Sequence, residues 1–143
     1  MAGRPVRDAV SAGVAYFAIL FAAGFALGTL RVLVLMPRLS PPLAEPIAVL
    51  VELPIILTVS WFVCRWLVSR FGVARTSSAR LLMGAVAIAL LLTAEVLLGT
   101  LGFGRTLSAQ IQRFRELPEV LGLLGQLAFA FFPALQLLLA RKR

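Results

Sequence analysis

The chain has 143 residues, 61% of them hydrophobic and 14% charged, with a formal net charge of +8. A soluble domain carries about 45–50% apolar and about 25% charged residues, so this chain has too few polar side chains to cover a water-facing surface. Its excess apolar area must meet lipid. The composition also excludes much chemistry: there is no histidine and one cysteine, Cys64. That removes His-ligated haem, His-containing zinc or copper sites, Ser-His-Asp and Cys-His catalysis, and any internal disulfide. Quinol-oxidising haem subunits and zinc membrane proteases are thereby excluded, and no cofactor or metal site is expected. The arginines lie at the ends of apolar blocks, where they anchor and orient helices, so the positive charge does not point to nucleic acid. Thirteen arginines against one lysine, with no asparagine, fit a GC-rich bacterial genome.

Four apolar blocks each approach the ~20 residues needed to cross a hydrocarbon core as a helix, and none alternates as a barrel strand does. The expected fold is all-α: one domain over 1–143, a single bundle of four transmembrane helices plus a short amphipathic interfacial helix. The first span covers about 9–36. Basic residues precede it (Arg4, Arg7), but it far exceeds the 7–15 apolar residues of a cleaved signal peptide, so a retained signal-anchor helix is expected. The 37–46 connection holds Pro37, Pro41, Pro42 and Pro46, and predicts a stiff turn. The second span covers about 47–68. Near its end Arg65 lies beside Trp61, Phe62 and Trp66, with a stem able to snorkel to the headgroups. Cys64 reads as a small core or lipid-facing residue.

In the 69–80 connection, Ser77 or Ser78 is the expected N-cap of the third span, about 81–101. Gly102 and Gly104 end that span. Leu107, Ile111 and Phe114 then recur at helical spacing, with Gln110, Gln112, Arg113 and Arg115 opposite, up to Pro118. This predicts a short amphipathic helix lying in the interface, or a lid or docking surface over the bundle. The fourth span covers about 120–140, and Arg141, Lys142 and Arg143 close the chain. The tails and the 69–80 connection carry eight cations, whereas the 37–46 and 102–119 connections carry four. The positive-inside rule then places both termini in the cytoplasm, in a bacterial inner membrane.

Charged residues inside a span cost about 2.5–3.5 kcal/mol each on insertion scales and usually face the bundle interior. Three stand out, Arg31, Glu52 and Glu95, with Gln126 as a fourth polar group. Counted from the span ends, each lies about 7–9 Å below the outer boundary, at about 1.5 Å per residue. Gly24 and Gly28 share a stripe with Arg31, Gly99 shares the face of Glu95, and Gly122 shares the face of Gln126. These glycines are the expected helix-packing positions. Pro54 and Pro133 are expected helix breaks. The expected site is therefore a buried Arg31–Glu52–Glu95 cluster with Gln126 as a hydrogen-bonding neighbour. Two carboxylates against one guanidinium motivate a proton- or cation-linked role, and a polar clamp that fixes packing is the alternative.

The runs Gly24-Phe-Ala-Leu-Gly-Thr-Leu-Arg31-Val-Leu, Pro37-Arg38 and Glu52-Leu-Pro54-Ile resemble those of uncharacterised small four-span inner-membrane proteins of proteobacterial genomes. The resemblance implies a single four-span domain and no particular activity. Better-known four-span families fit poorly. Small multidrug-resistance proteins keep a glutamate in the first helix, where this chain has Arg31, and vitamin K epoxide reductase-like proteins need paired cysteines. The polar, Arg- and Glu-rich signature of membrane-associated glutathione-metabolism proteins is absent.

Three functions compete. The first is an accessory or scaffold subunit that packs against other membrane proteins, suited by the small extramembrane mass and the glycine faces. The second is a small homo-oligomeric transporter or channel using the Arg/Glu cluster. The third is a lipid-handling enzyme with Glu52 or Glu95 as base, although no nucleophile–base pair or phosphate-binding glycine loop accompanies them. No catalytic residue is assigned, and the expected partners are the bilayer and other membrane proteins or a second copy.

Overall fold

The computed structural model describes residues 3–113 and 115–142. It is all-α among those residues: α1 (Gly3–Leu30), α2 (Pro41–Arg70), α3 (Ser77–Leu97), α4 (Leu107–Arg113) and α5 (Leu117–Arg141). α1 continues through a π-helical turn, Arg31–Leu35, and a 3-10 turn, Met36–Arg38. α3 continues through a second π-helical turn, Leu98–Gly102. Four stretches are long and apolar enough to cross a membrane: Gly3–Arg38, Ala44–Arg70, Ser77–Gly102 and Leu117–Arg141.

The helix ends follow from local chemistry. α2 begins at Pro41, earlier than the proline content of 37–46 predicts, with Ser40 as the extended residue before it. Proline in a first turn forfeits no helical hydrogen bond, because those N–H groups have no partner in any case. The turn is therefore short: Pro41 and Pro42 open the helix, and Pro46 lies inside it at the loss of one helical hydrogen bond. α3 is capped by Thr76 rather than by Ser77 or Ser78: its Oγ1 accepts from the Ala79 N–H at 3.3 Å. Gly72 and Gly104, at φ 60° and 61°, take the left-handed conformation that turns the chain after α2 and before α4.

The helices form a four-membered ring in the order α1, α3, α5, α2, with α1 and α3 parallel neighbours and α5 closing onto α2. Two glycines set the closest crossings. A Cβ on Gly13 would press on the Met83 carbonyl and Val86, and one on Gly84 would collide with the Ala130 carbonyl. Without side chains there, α1, α3 and α5 approach backbone to backbone, the main source of van der Waals attraction between helices in lipid.

The core is concentrated in the half nearest the termini. Ala9, Ala12, Tyr16, Leu20, Cys64, Leu67, Met83, Ala87 and Phe129 form one buried cluster there. Tyr16 packs on Phe129 with ring centroids 4.2 Å apart, and Trp61 meets Phe132 edge to face at 5.2 Å. In the opposite half Ala44 and Ala48 are buried, while Leu30, Val32, Leu33, Leu97 and Leu101 are exposed. α4 stands off the bundle: Leu107 and Ile111 are 60% and 66% exposed, which suits a helix with its apolar side toward lipid rather than a lid. Phe114 and Arg143, and the side chains of Gln110 and Arg113, lie outside the described residues.

Candidate functional site: the intramembrane polar groups

The four polar residues expected to cluster fall into two pairs. Arg31 Nη1 lies 3.7 Å from Glu52 Oε2, with side chains 32% and 19% exposed. That ion pair is longer than a direct hydrogen bond, and Glu52 Oε1 is buried without a hydrogen-bond partner. The second pair links α3 to α5: Gln126 Nε2 donates to Glu95 Oε1 at 2.6 Å. Glu95 is exposed on the surface of the isolated chain, and its hydrogen-bond partner is Gln126 rather than Arg31.

Register explains the separation. Gly13 lies against Met83 and Val86, so counting along the parallel α1 and α3 places Glu95 level with Gly24. Arg31 then stands about 10 Å further out, at about 1.5 Å per residue. Leu53 against Gly125 likewise places Glu52 level with Leu124, near Gln126. Glu52, Glu95 and Gln126 share a depth, and Arg31 reaches back toward Glu52 because helical side chains lean toward the N-terminus. Counting from span ends misplaced Arg31, because the first stretch, Gly3–Arg38, is longer than the other three and its outer end stands further out.

The glycines divide similarly. A Cβ on Gly24 or Gly122 would meet nothing within 4 Å, and one on Gly28 only Arg31 Nη2 at 3.8 Å. Gly99 is buried in its π-helical turn. The crossings inside the bundle use Gly13, Gly84 and Gly125 instead, so the Gly24/Gly28 stripe is not spent on this chain's own helices.

Neither Pro54 nor Pro133 breaks its helix; α2 and α5 run through both. Each proline removes one N–H, and at Pro133 the loss is made good. The carbonyl deprived of its donor is that of Phe129, and Tyr16 Oη donates to it at 3.2 Å. Ser60 Oγ lies 2.5 Å from the same hydroxyl, and Gln136 Nε2 reaches the Trp61 carbonyl at 2.8 Å. Cys64, fully buried beside Tyr16, is thus a core residue. The sequence reading passed over this locus. The available signal was the chain's single tyrosine at mid-span, four helical turns from any charged residue on its own helix except Asp8 and the terminal arginines.

No family model, curated protein or solved structure matches the chain. With four membrane-length apolar helices in one bundle, it is a multi-pass membrane protein. The described residues bring together no group of three or more His, Cys, Asp or Glu side chains able to hold a metal ion.

At the end bearing the termini, Arg80 is buried and turned inward. Its Nε donates to the Ala74 carbonyl at 3.2 Å and its Nη2 reaches that of Val73 at 3.5 Å. Arg141 Nη2 approaches the Arg75 carbonyl at 3.4 Å. These arginines tie the α2–α3 turn to α3 and α5. Arg65 and its neighbour Trp66 are both exposed.

Proposed function

We propose that the chain is an accessory or scaffold subunit that packs against other membrane proteins in a bacterial inner membrane, with both termini in the cytoplasm. The observation that carries this reading is the Glu95–Gln126 pair, with Glu95 exposed on α3 and Gln126 half-buried on α5 within otherwise apolar spans. Such groups are costly against lipid and are glue between helices. The open Gly24/Gly28 stripe on α1 supports it, being a close-approach surface left unused by the bundle. The close-packed half around Tyr16 and Phe129 favours a structural role over a path through one protomer. Neither enzymatic activity, a cofactor nor nucleic acid belongs to this reading.

The test is affinity capture of the tagged full chain from native membranes in mild detergent, followed by intact-mass analysis. A stoichiometric second membrane protein, lost in Glu95→Leu or Gly24→Leu, supports the scaffold role. A chain that elutes alone and monomeric sinks it. Reporter fusions at each terminus and in the 103–106 segment test the orientation.

One observation favours a second reading, a homo-oligomeric proton- or cation-linked transporter: the buried, unpartnered Oε1 of Glu52 beside a long ion pair. A discrete homo-oligomer whose liposome flux depends on Glu52 would establish it in place of the first.

A further inference from the structure

The two ends of the bundle differ sharply in charge. The end with both termini and the α2–α3 turn carries eight cations and one acid, Asp8, while the other end carries four cations and three acids. The fold decides where these cations stand. Arg80 points inward and holds the carbonyls of Val73 and Ala74, and Gly72 reverses the chain at φ 60°. The turn therefore wraps Arg80 and leaves Arg70 and Arg75 exposed. Arg141 reaches the Arg75 carbonyl, which brings the last turn of α5, and Lys142 after it, alongside. Arg4 and Arg7 are exposed on the first turns of α1, with Asp8 3.9 Å from Arg7.

We propose that Arg4, Arg7, Arg70, Arg75, Arg141 and Lys142 form a rim that binds the phosphates of anionic phospholipids in the leaflet it faces. The rim lies at the ends of membrane-length helices, so a headgroup layer is the surface beside it. Five of the six cations are arginines, whose planar fork matches phosphate oxygens in pairs. The crowding of like charges with a single acid opposes the compact state, and bound anions relieve it. The rim also gathers α1, the α2–α3 turn and α5 around the close-packed half of the core. Lipid bound there bridges those elements and stabilises the folded chain by mass action. This assignment is independent of which partner, if any, the spans recruit.

The test uses the full chain in a neutral detergent. Thermal unfolding and native mass spectrometry are followed with added phosphatidylglycerol, phosphatidylcholine or inorganic phosphate. Phosphatidylglycerol is expected to raise Tm by about 4 °C or more and to remain bound in the mass spectrum. Phosphatidylcholine should do neither. The difference should vanish near 1 M salt, where the Debye length is about 3 Å. Arg70→Gln/Arg75→Gln/Lys142→Gln should lose the response, whereas Arg105→Gln/Arg115→Gln at the other end should keep it. Equal retention of both lipids by the unaltered chain overturns the proposal, even if the rim variant fails to fold. So does a response that survives the rim substitutions, and an equal rise with inorganic phosphate overturns the assignment to lipid.

Discussion

The hydroxyl of Tyr16 donates to the carbonyl of Phe129 at 3.2 Å, the one acceptor in α5 that Pro133 leaves without its helical N–H. A proline and a tyrosine on different helices, 117 positions apart, thus act as one unit. α5 keeps its course through Pro133 because α1 supplies the missing donor, and Ser60 of α2 completes the contact.

Tyr16→Phe should destabilise the bundle by about 1–3 kcal/mol, the penalty for leaving a buried carbonyl without a donor. Pro133→Ala restores the N–H to Phe129, so Tyr16→Phe should be less damaging in a Pro133→Ala background. Reversible unfolding in mild detergent of both single variants and the double variant measures the coupling. Additive effects would mean that the hydroxyl and the proline act separately.

This unit was not legible in the sequence. Pro133 is visible as a residue that deletes a hydrogen bond, and the deletion reads naturally as a helix break. The donor that prevents the break is on a helix distant in the chain, and only the ring order of the bundle brings it there.

Gly84 and Gly122 should respond oppositely to alanine. At Gly84 the added methyl meets the Ala130 backbone, so α3 and α5 must separate, with a loss of about 1–3 kcal/mol. At Gly122 the space is open, and replacing a mid-helix glycine should leave stability unchanged or raise it by about 0.5–1 kcal/mol. Thermal denaturation of the two variants side by side distinguishes them.

The Arg31–Glu52 pair should show coupling without Glu95. Arg31→Leu leaves Glu52 with no cation and should destabilise the chain by about 1–3 kcal/mol. Adding Glu52→Gln should recover most of that loss, while adding Glu95→Gln should recover none. A recovery by Glu95→Gln would restore the single cluster that spacing alone predicts.

Arg80→Gln should loosen the α2–α3 turn. The Val73 and Ala74 carbonyls lose their guanidinium donor, and Arg80→Lys should rescue only in part, because one ammonium cannot reproduce the spread of two N–H groups. Protease cleavage within 71–76, measured in vesicles that expose this end, should rise in Arg80→Gln and fall between the two in Arg80→Lys.

By itself the sequence determined the class and the number of spans. An apolar stretch must leave water wherever it ends up, and a chain in lipid must satisfy its backbone internally, so four such stretches imply four helices. It also marked Arg31, Glu52, Glu95 and Gln126, because a polar group in a span stands out against its neighbours. The tertiary structure decided who meets whom. The close crossings at Gly13 and Gly84 set the register of α1, α3 and α5, and register, not distance from a span end, determines which side chains share a depth. That is why Arg31 joins Glu52 while Glu95 turns to Gln126, and why the stripe of Gly24 and Gly28 remains open.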